Sequence, residues 1–328
     1  MIKALGLLSG GLDSMLAAKL MKDQGIEVIA LNFITPFIIQ EKGKNYAKIF
    51  TKKLKIPLKV VKLENEYIRL IRKPKYGYGK FLNPCIDCRI FMLKKAKKYA
   101  KKINASFIFT GEVLNERPMS QTRKALEIIE REAGLKGKIL RPLSAKLLPP
   151  TEAEKKGVVR RERLLDISGK GRRKQIELAK KFKIKEFSSP AGGCLLTYKE
   201  FSAKLKDLFK HKKRIRMKDI ELLKVGRHFR FGKNKIIVGR NEKENKQLLE
   251  LKSKTDYFFE VPDCGSPITL LQGSKTRETI KKAAALTARY SDAKEKKILV
   301  KYGMRKLTKS IKVFPISKKK INSLRVKW

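Results

Sequence analysis

Through the first half of the chain, short apolar runs alternate with segments whose apolar positions recur at helical spacing. Residues 2–8 read as a buried strand, 13–24 as a helix and 27–33 as a second strand. Residues 42–54 repeat with helical period, 58–63 make a third strand, and 84–103 a long basic helix. A strand at 106–111, a helix at 119–132 and a short strand at 138–143 complete the series. Such alternation predicts parallel strands joined by crossover helices, an α/β fold with a doubly wound, Rossmann-like parallel sheet. Ligands of these sheets bind beyond the carboxyl ends of the strands, near the point where strand order reverses. The stretches S-G-G (9–11), N-F (32–33) and T-G-E (110–112) are therefore expected to gather at one crevice.

From about residue 144 the pattern turns helical and basic, broken at L-P-P-T, S-G-K-G-R-R-K and S-P-A-G-G. After residue 217 it changes again. N-K-I-I-V-G-R-N, Y-F-F-E-V-P-D, P-I-T-L-L-Q-G and K-K-I-L-V-K-Y-G are strand-like, with a helix at 277–290. The expected organisation is a nucleotide-binding domain (1–170), a basic helical connector carrying Cys194 (171–216), and an α+β module (217–328).

Composition adds a partner. Lysine and arginine number 81 against 31 aspartates and glutamates, a formal charge of +50 over 328 residues. Adaptation to heat enriches glutamate alongside lysine, so scarce acids point instead to a polyanion such as nucleic acid. The apolar fraction of 42% supports real cores. No apolar run approaches the roughly 18 residues needed to cross a bilayer, and the first eight residues are too short for a signal peptide. Four cysteines in so long a chain do not make a disulfide framework, so a cytoplasmic protein without membrane association is expected. Nothing in the pattern fixes an oligomeric state.

If residue 8 ends a strand and residue 13 enters a helix, Ser9, Gly10, Gly11 and Leu12 form the turn between them. Glycine opens backbone angles closed to other residues and lets a ligand approach the main chain. Loop amides, the helix N-terminus and the hydroxyls of Ser9 and Ser14 would converge on an anion. Asp13 is too negative to touch phosphate; it suits a helix cap or a Mg²⁺ ligand. The Lys-Ser/Thr of a Walker loop is absent, which argues against a kinase or GTPase. A plain strand–helix turn would use the same residue types.

N-P-C-I-D-C-R (83–89) opens the long basic helix, with Asn83 as expected N-cap and Pro84 at its first position. Cys85 and Cys88 then share a face, and the helix dipole and Arg89 are expected to favour their thiolates. Cys194 follows S-P-A-G-G, and Cys264 reads as a small buried hydrophobe. Three chemistries suit Cys85, Cys88 and Cys194. These are zinc with a recruited ligand, a redox or persulfide pair, and an iron–sulfur cluster with one open iron. His211 and His228 are expected on a basic surface.

The string S-G-G-L-D-S resembles the PP-loop of adenine-nucleotide alpha hydrolases, enzymes that cleave ATP to AMP and pyrophosphate. With the Cys-x-x-Cys and a third cysteine about a hundred residues later, the first 205 residues resemble tRNA thiouridine synthases. The resemblance is to the ThiI-type 4-thiouridine synthases and the related 2-thiouridylases. T-G-E-V-L-N-E-R-P-M-S-Q-T, R-P-L-S-A-K-L-L-P-P-T-E-A-E and S-P-A-G-G-C-L-L-T carry it further. It implies ATP and Mg²⁺ held by Ser9, Gly10, Gly11, Asp13 and Ser14, bordered by Asn32, Phe33, Thr110, Gly111 and Glu112. It also implies a four-iron cluster on Cys85, Cys88 and Cys194 as sulfur site, with tRNA as acceptor. No THUMP or rhodanese region accompanies the PP-loop domain, so sulfide or a carrier protein is the expected donor. Arg117, Arg123 and Arg141 are further candidates for phosphate contact. The last module resembles the NFACT RNA-binding domain in V-G-R-N-E-K-E-N and A-A-A-L-T-A-R-Y-S-D-A-K-E-K-K-I-L-V-K-Y-G, continuing into R-K-L-T-K-S. By that likeness Arg240, Asn241, Asn245, Lys306 and Lys309 face RNA. The alternatives are another PP-loop tRNA-modifying enzyme, or an RNA-binding factor that kept the fold without the catalysis.

Overall fold

Contacts divide the chain between Thr197 and Tyr198, inside the stretch expected as a connector. The computed structural model describes residues 2–39, 43–188 and 193–328; residue 42 of the expected second helix and residues 189–192 of S-P-A-G-G lie outside them.

The first unit (Met1–Thr197) begins β1 (Lys3–Leu7), α1 (Leu12–Lys22), β2 (Glu27–Ile34), α2 (Tyr46–Lys53), β3 (Leu58–Lys62) and α3 (Asn65–Arg72). It continues α4 (Cys85–Lys102), β4 (Phe107–Thr110), α5 (Arg123–Ala133), β5 (Ile139–Leu140), α6 (Glu152–Lys155) and α7 (Arg173–Lys181). The sheet order is β3-β2-β1-β4-β5, all parallel. Strand order reverses between β1 and β4, so the S-G-G and T-G-E turns face each other across the switch point. Every residue of β4 is buried, as a strand covered on both faces requires. α2 starts at Tyr46, not residue 42, because the Asn45 side chain accepts from Lys48 N (3.1 Å). α5 starts at Arg123 because Thr122 caps it.

The second unit (Tyr198–Trp328) opens with α8 (Lys199–His211), α9 (Met217–Leu223), β6 (Arg227–Phe231), β7 (Asn234–Val238) and α10 (Glu242–Leu251). There follow β8 (Tyr257–Glu260), β9 (Thr269–Gln272), α11 (Arg277–Arg289), β10 (Ile298–Gly303), β11 (Lys309–Val313) and α12 (Lys318–Leu324). Its sheet, ordered β11-β10-β8-β9-β7-β6, is antiparallel throughout. Alternate residues of β7 serve opposite faces. Ile236 and Val238 pack with Ala283, Ala284 and Leu286 of α11, whereas Ile237 packs with Leu222 of α9 and Leu248 of α10.

The stretch 171–216 is thus shared between the units. Ala179 of α7 enters the core of the first, and α8 and the start of α9 belong to the second. No helix among the described residues is long and apolar enough to cross a membrane.

Candidate active site

Gly10 has φ +88°, a conformation that strains any residue with a Cβ. Its carbonyl accepts from Ser188 N (3.0 Å) and Ser188 Oγ (3.2 Å), which ties the loop to a segment 178 residues away. Ser14 Oγ donates to Gly11 O (2.8 Å) and accepts from Ser9 N (3.3 Å), and Gly11 N donates to Ser9 Oγ (3.3 Å). Both serines therefore shape the glycine turn. The opposite wall is equally close: a Cβ on Gly111 would lie 2.4 Å from Ser14 N. Asn32 is buried, donating from Nδ2 to Leu8 O (2.6 Å) and accepting from Asn45 Nδ2 (3.3 Å). It braces the end of β1, while Phe33 lies buried in β2 beside it.

Asp13 stands in the first turn of α1, whose N-cap is Gly11 without a side-chain bond, so the capping role expected for Asp13 is not taken. Its Oδ1 is buried with no hydrogen-bond partner among the described residues. Burial raises the Asp13 pKa, against the opposing pull of Arg172, Gln175 and Arg117. Arg172 Nη2 approaches Asp13 Oδ2 at 3.9 Å. Burial, and then the charge of Asp13, likewise raise Glu116.

Glu112 is 2% exposed and takes Arg89 Nε at 3.4 Å and Arg141 Nε at 3.1 Å, with Thr110 Oγ1 donating to it at 3.1 Å. Burial alone would raise its pKa, but Arg89 and Arg141 hold it below the usual carboxylate value. Arg141 is buried and also paired with Glu130, so it braces the interior of the unit. Arg123 donates to Leu147 O (2.9 Å). Arg117 remains directed at the crevice, close enough to act on both Asp13 and Cys194.

The fold brings Cys194 to the pair on α4. Cys194 forms an isolated bridge with Ile38, and Leu195 N donates to Phe37 O (2.7 Å). Phe37 contacts the Tyr67 ring at 6.1 Å, and Tyr67 Oη is hydrogen-bonded to Cys88 Sγ at 2.9 Å. All three thiols act electrostatically on Tyr67, whose pKa burial raises well above 10.0. The helix start differs from expectation. Pro84 is the N-cap, and Asn83 Oδ1 accepts from Cys85 Sγ (3.2 Å) instead of capping the backbone.

The thiolate expected at Cys88 is overturned, and Cys194, for which none was expected, is shifted the same way. Burial pushes Cys88 up to about 12 and Cys194 to about 11, and the neighbouring thiols add to it. Arg89, which was to lower Cys88, is drawn to Glu112 and has only a minor effect. One buried thiol and two half-buried ones suit a soft metal or cluster in donor type. Among the described residues, however, no three His, Cys, Asp or Glu side chains stand close enough to hold a metal ion. Sequence reasoning missed Tyr67, on an unexpected α3, and the Arg89–Glu112 pair that joins the cysteine helix to the crevice. No local motif marks either, since both depend on tertiary contact.

In the second unit, Arg240 is half-exposed and paired with Glu244. Asn241 caps α10, accepting from Glu244 N (3.0 Å). Asn245 donates to Ser266 O (3.2 Å) and accepts from Ile268 N (3.0 Å), so both asparagines have internal tasks. Lys306 and Lys309 are exposed at the β10–β11 hairpin. From residue 298 to the C-terminus there are ten lysines and arginines and no acid. His228 is buried, with Nε2 against Val225 O (2.8 Å), and Cys264 is exposed; both reverse the expected burial. His211 is exposed, as expected.

Residues 2–146 match the family described as thiamine biosynthesis protein (ThiI), and residues 226–325 the NFACT protein RNA binding domain. A probable tRNA sulfurtransferase from Thermococcus kodakarensis is 34% identical over 144 residues, 43% of this chain and 36% of that protein. A tRNA-specific 2-thiouridylase, MnmA, from Coxiella burnetii is 34% identical over 115 residues, 32% of each chain. The chain spans about a third of the length of the curated relatives it matches. A solved 4-thiouridine synthetase–RNA complex with bound ATP aligns over 68% of this chain and 52% of its own, at 21% identity and TM-score 0.37. The U34-tRNA thiolase NcsA from Methanococcus maripaludis, with its 4Fe-4S cluster, aligns over 68% and 70% at 16% identity and TM-score 0.34.

Proposed function

We propose that this chain, a ThiI-type PP-loop module followed by an NFACT-type RNA-binding module, is a cytoplasmic ATP-dependent tRNA sulfurtransferase. It adenylates a tRNA uridine and exchanges the carbonyl oxygen for sulfur, giving 4-thiouridine or 2-thiouridine. The observation that supports this reading is the Arg89–Glu112 ion pair at 3.4 Å, which links the cysteine helix to the turn facing the glycine loop.

Ser9, Gly10, Gly11 and Ser14 hold the pyrophosphate end of ATP. Asp13, with an unpartnered buried oxygen, is suited to Mg²⁺ there. Thr110, Gly111 and Glu112 border the nucleotide on the β4 side, and Asn32 and Phe33 on the β2 side. The uridine oxygen attacks the α-phosphorus and pyrophosphate leaves, turning a poor leaving group into AMP. A sulfur nucleophile then adds to the ring carbon, and AMP departs with the original oxygen. Arg117 is proposed to meet the charge that develops on the departing phosphate. Cys85, Cys88 and Cys194 hold the sulfur, supplied as sulfide or by a carrier protein. A four-iron cluster bound through those three thiolates would supply an open iron position for sulfide. Arg240, Asn241, Asn245, Lys306 and Lys309 are proposed to line the RNA side of the second module.

The test pairs ATP–pyrophosphate exchange in the presence of bulk tRNA with nucleoside mass spectrometry of tRNA from cells lacking the gene. Asp13→Asn should lose exchange and thiolation by at least about a hundredfold. Cys194→Ser should keep exchange and lose the thiolated nucleoside. Absence of exchange in wild-type protein, or no missing thionucleoside in the deletion strain, sinks the proposal. Iron and zinc analysis after anaerobic purification decides what the thiols hold.

A further inference from the structure

We infer that the segment between α3 and α4, residues 73–84, is a surface for unpaired RNA beside the cysteines, with the Tyr78 ring as a platform on which a base stacks. The inference rests on the sulfurtransferase reading above and adds to it where single-stranded substrate meets the first unit.

Between Glu66 and Asp87 the chain carries five cations (Arg69, Arg72, Lys73, Lys75 and Lys80) and no acid, with Tyr76, Tyr78 and Phe81 set among them. A basic stretch interleaved with aromatics can track a phosphate backbone while offering ring faces to bases. The segment is held in place although it has no regular structure. Asp87, buried in the first turn of α4, accepts from Lys75 N (2.7 Å) and Tyr76 N (3.0 Å), so this acid is turned inward. Lys75 Nζ is paired with Glu132 (2.8 Å), whereas Lys73 and Lys80 are exposed. Tyr78 is 39% exposed, yet its hydroxyl donates to Ile71 O (2.8 Å) with Arg72 O at 3.2 Å, so the part left to solvent is ring. A ring already pinned loses little freedom when a base stacks on it.

Position gives the platform its task. The segment ends at Pro84, the N-cap of α4, so its last residue adjoins Cys85. Gly79 packs on Met119, in the turn that also carries Arg117: a Cβ on that glycine would lie 2.5 Å from Met119 Sδ. A base that undergoes chemistry has to leave its stack. Its neighbour in the strand then loses a stacking partner, and an aromatic ring next to the sulfur site replaces it. So many cations over so short a stretch suit the phosphates of that strand.

Filter binding of the full chain to transcribed tRNA and to a blunt RNA duplex tests this. Loss of one stacked base predicts that Tyr78→Ala weakens tRNA roughly five- to a hundredfold. The duplex, which offers no unpaired base, should change by no more than about twofold. Tyr78→Phe, which keeps the ring, should stay within about threefold of wild type for both. Lys73→Ala with Lys80→Ala should lower the slope of log affinity against log salt by about two. Should the alanine variant fail to fold, photo-cross-linking of wild-type protein to tRNA carrying 5-bromouridine decides, by mass spectrometry of the peptide from Tyr76 to Lys80. Equal losses for tRNA and duplex, or none for either, overturn the inference, as do cross-links confined to other peptides. Unchanged tRNA affinity, with thiolation lost only when a carrier protein supplies sulfur, would make the segment a carrier dock and overturn it equally. In each of these cases the sulfurtransferase reading stands; if wild-type protein binds no tRNA, both fall.

Discussion

Cys88 carries the clearest residue-scale prediction. Its thiol is hydrogen-bonded to Tyr67 in a pocket closed by Phe37 and Phe91, and burial holds its pKa near 12. Alkylation needs the thiolate. In metal-free protein, the rates at Cys88 and Cys194 should therefore rise about tenfold per pH unit from pH 7 to 10, with no plateau. Tyr67 lowers the Cys88 pKa through its hydrogen bond, so Tyr67→Phe should slow alkylation at Cys88 further while leaving Cys194 nearly unchanged. Peptide mass spectrometry of iodoacetamide adducts reads both sites; a plateau below pH 9 would contradict the raised values. The spacing Cys-x-x-Cys-Arg was legible in the sequence, but the charge state was not. A helix dipole and an adjacent arginine can be read from neighbours in the chain. The burial that outweighs them comes from tertiary packing, and Cys194, 106 positions further along, raises the value again through its charge.

At the scale of elements, the parallel sheet was readable because each central strand is a continuous apolar run that no helix period explains. The strands that escaped notice are β6 and β11, and they are the two edges of the second sheet. Their sequences, R-H-F-R-F and K-S-I-K-V, each carry two cations, and charge on an edge strand is a device by which edges avoid pairing with other chains. Charge there hides the strand from a reading based on apolar runs. The crevice depends on a contact no pattern announces, the packing of the β4 turn on the first turn of α1. Replacing Gly111 by alanine places a methyl against the Asp13–Ser14 backbone, with no side chain able to yield. Gly111→Ala should lower stability by about 1–3 kcal/mol. It should also weaken ATP-analogue binding in the protein that remains folded, since the Ser14 amide and the glycine turn must shift together. Chemical denaturation and calorimetry at one temperature separate the two effects. Unchanged binding in a destabilised variant would mean that the turn-to-turn contact shapes the core and not the site.

For the whole molecule, a charge of +50 makes a prediction about salt. Neutralising six to ten RNA phosphates would lower tRNA affinity roughly a thousand- to hundred-thousandfold between 50 and 200 mM salt. The share carried by the second unit can be isolated, because its last 31 residues hold only cations among their acidic and basic groups. Lys306 and Lys309 are exposed there, whereas Arg240 is engaged by Glu244 and both asparagines are committed to the backbone. Lys306→Ala with Lys309→Ala should therefore reduce the slope of log affinity against log salt by about two, weakening all tRNAs alike. Arg240→Ala should change it by less than one, since Glu244 already neutralises the arginine. Binding of the ATP analogue, seated among buried dipoles and not at a screened surface, should vary far less over the same range. Filter binding and calorimetry on the same preparations make the comparison. A slope untouched by the double lysine change would move the RNA face elsewhere on the chain.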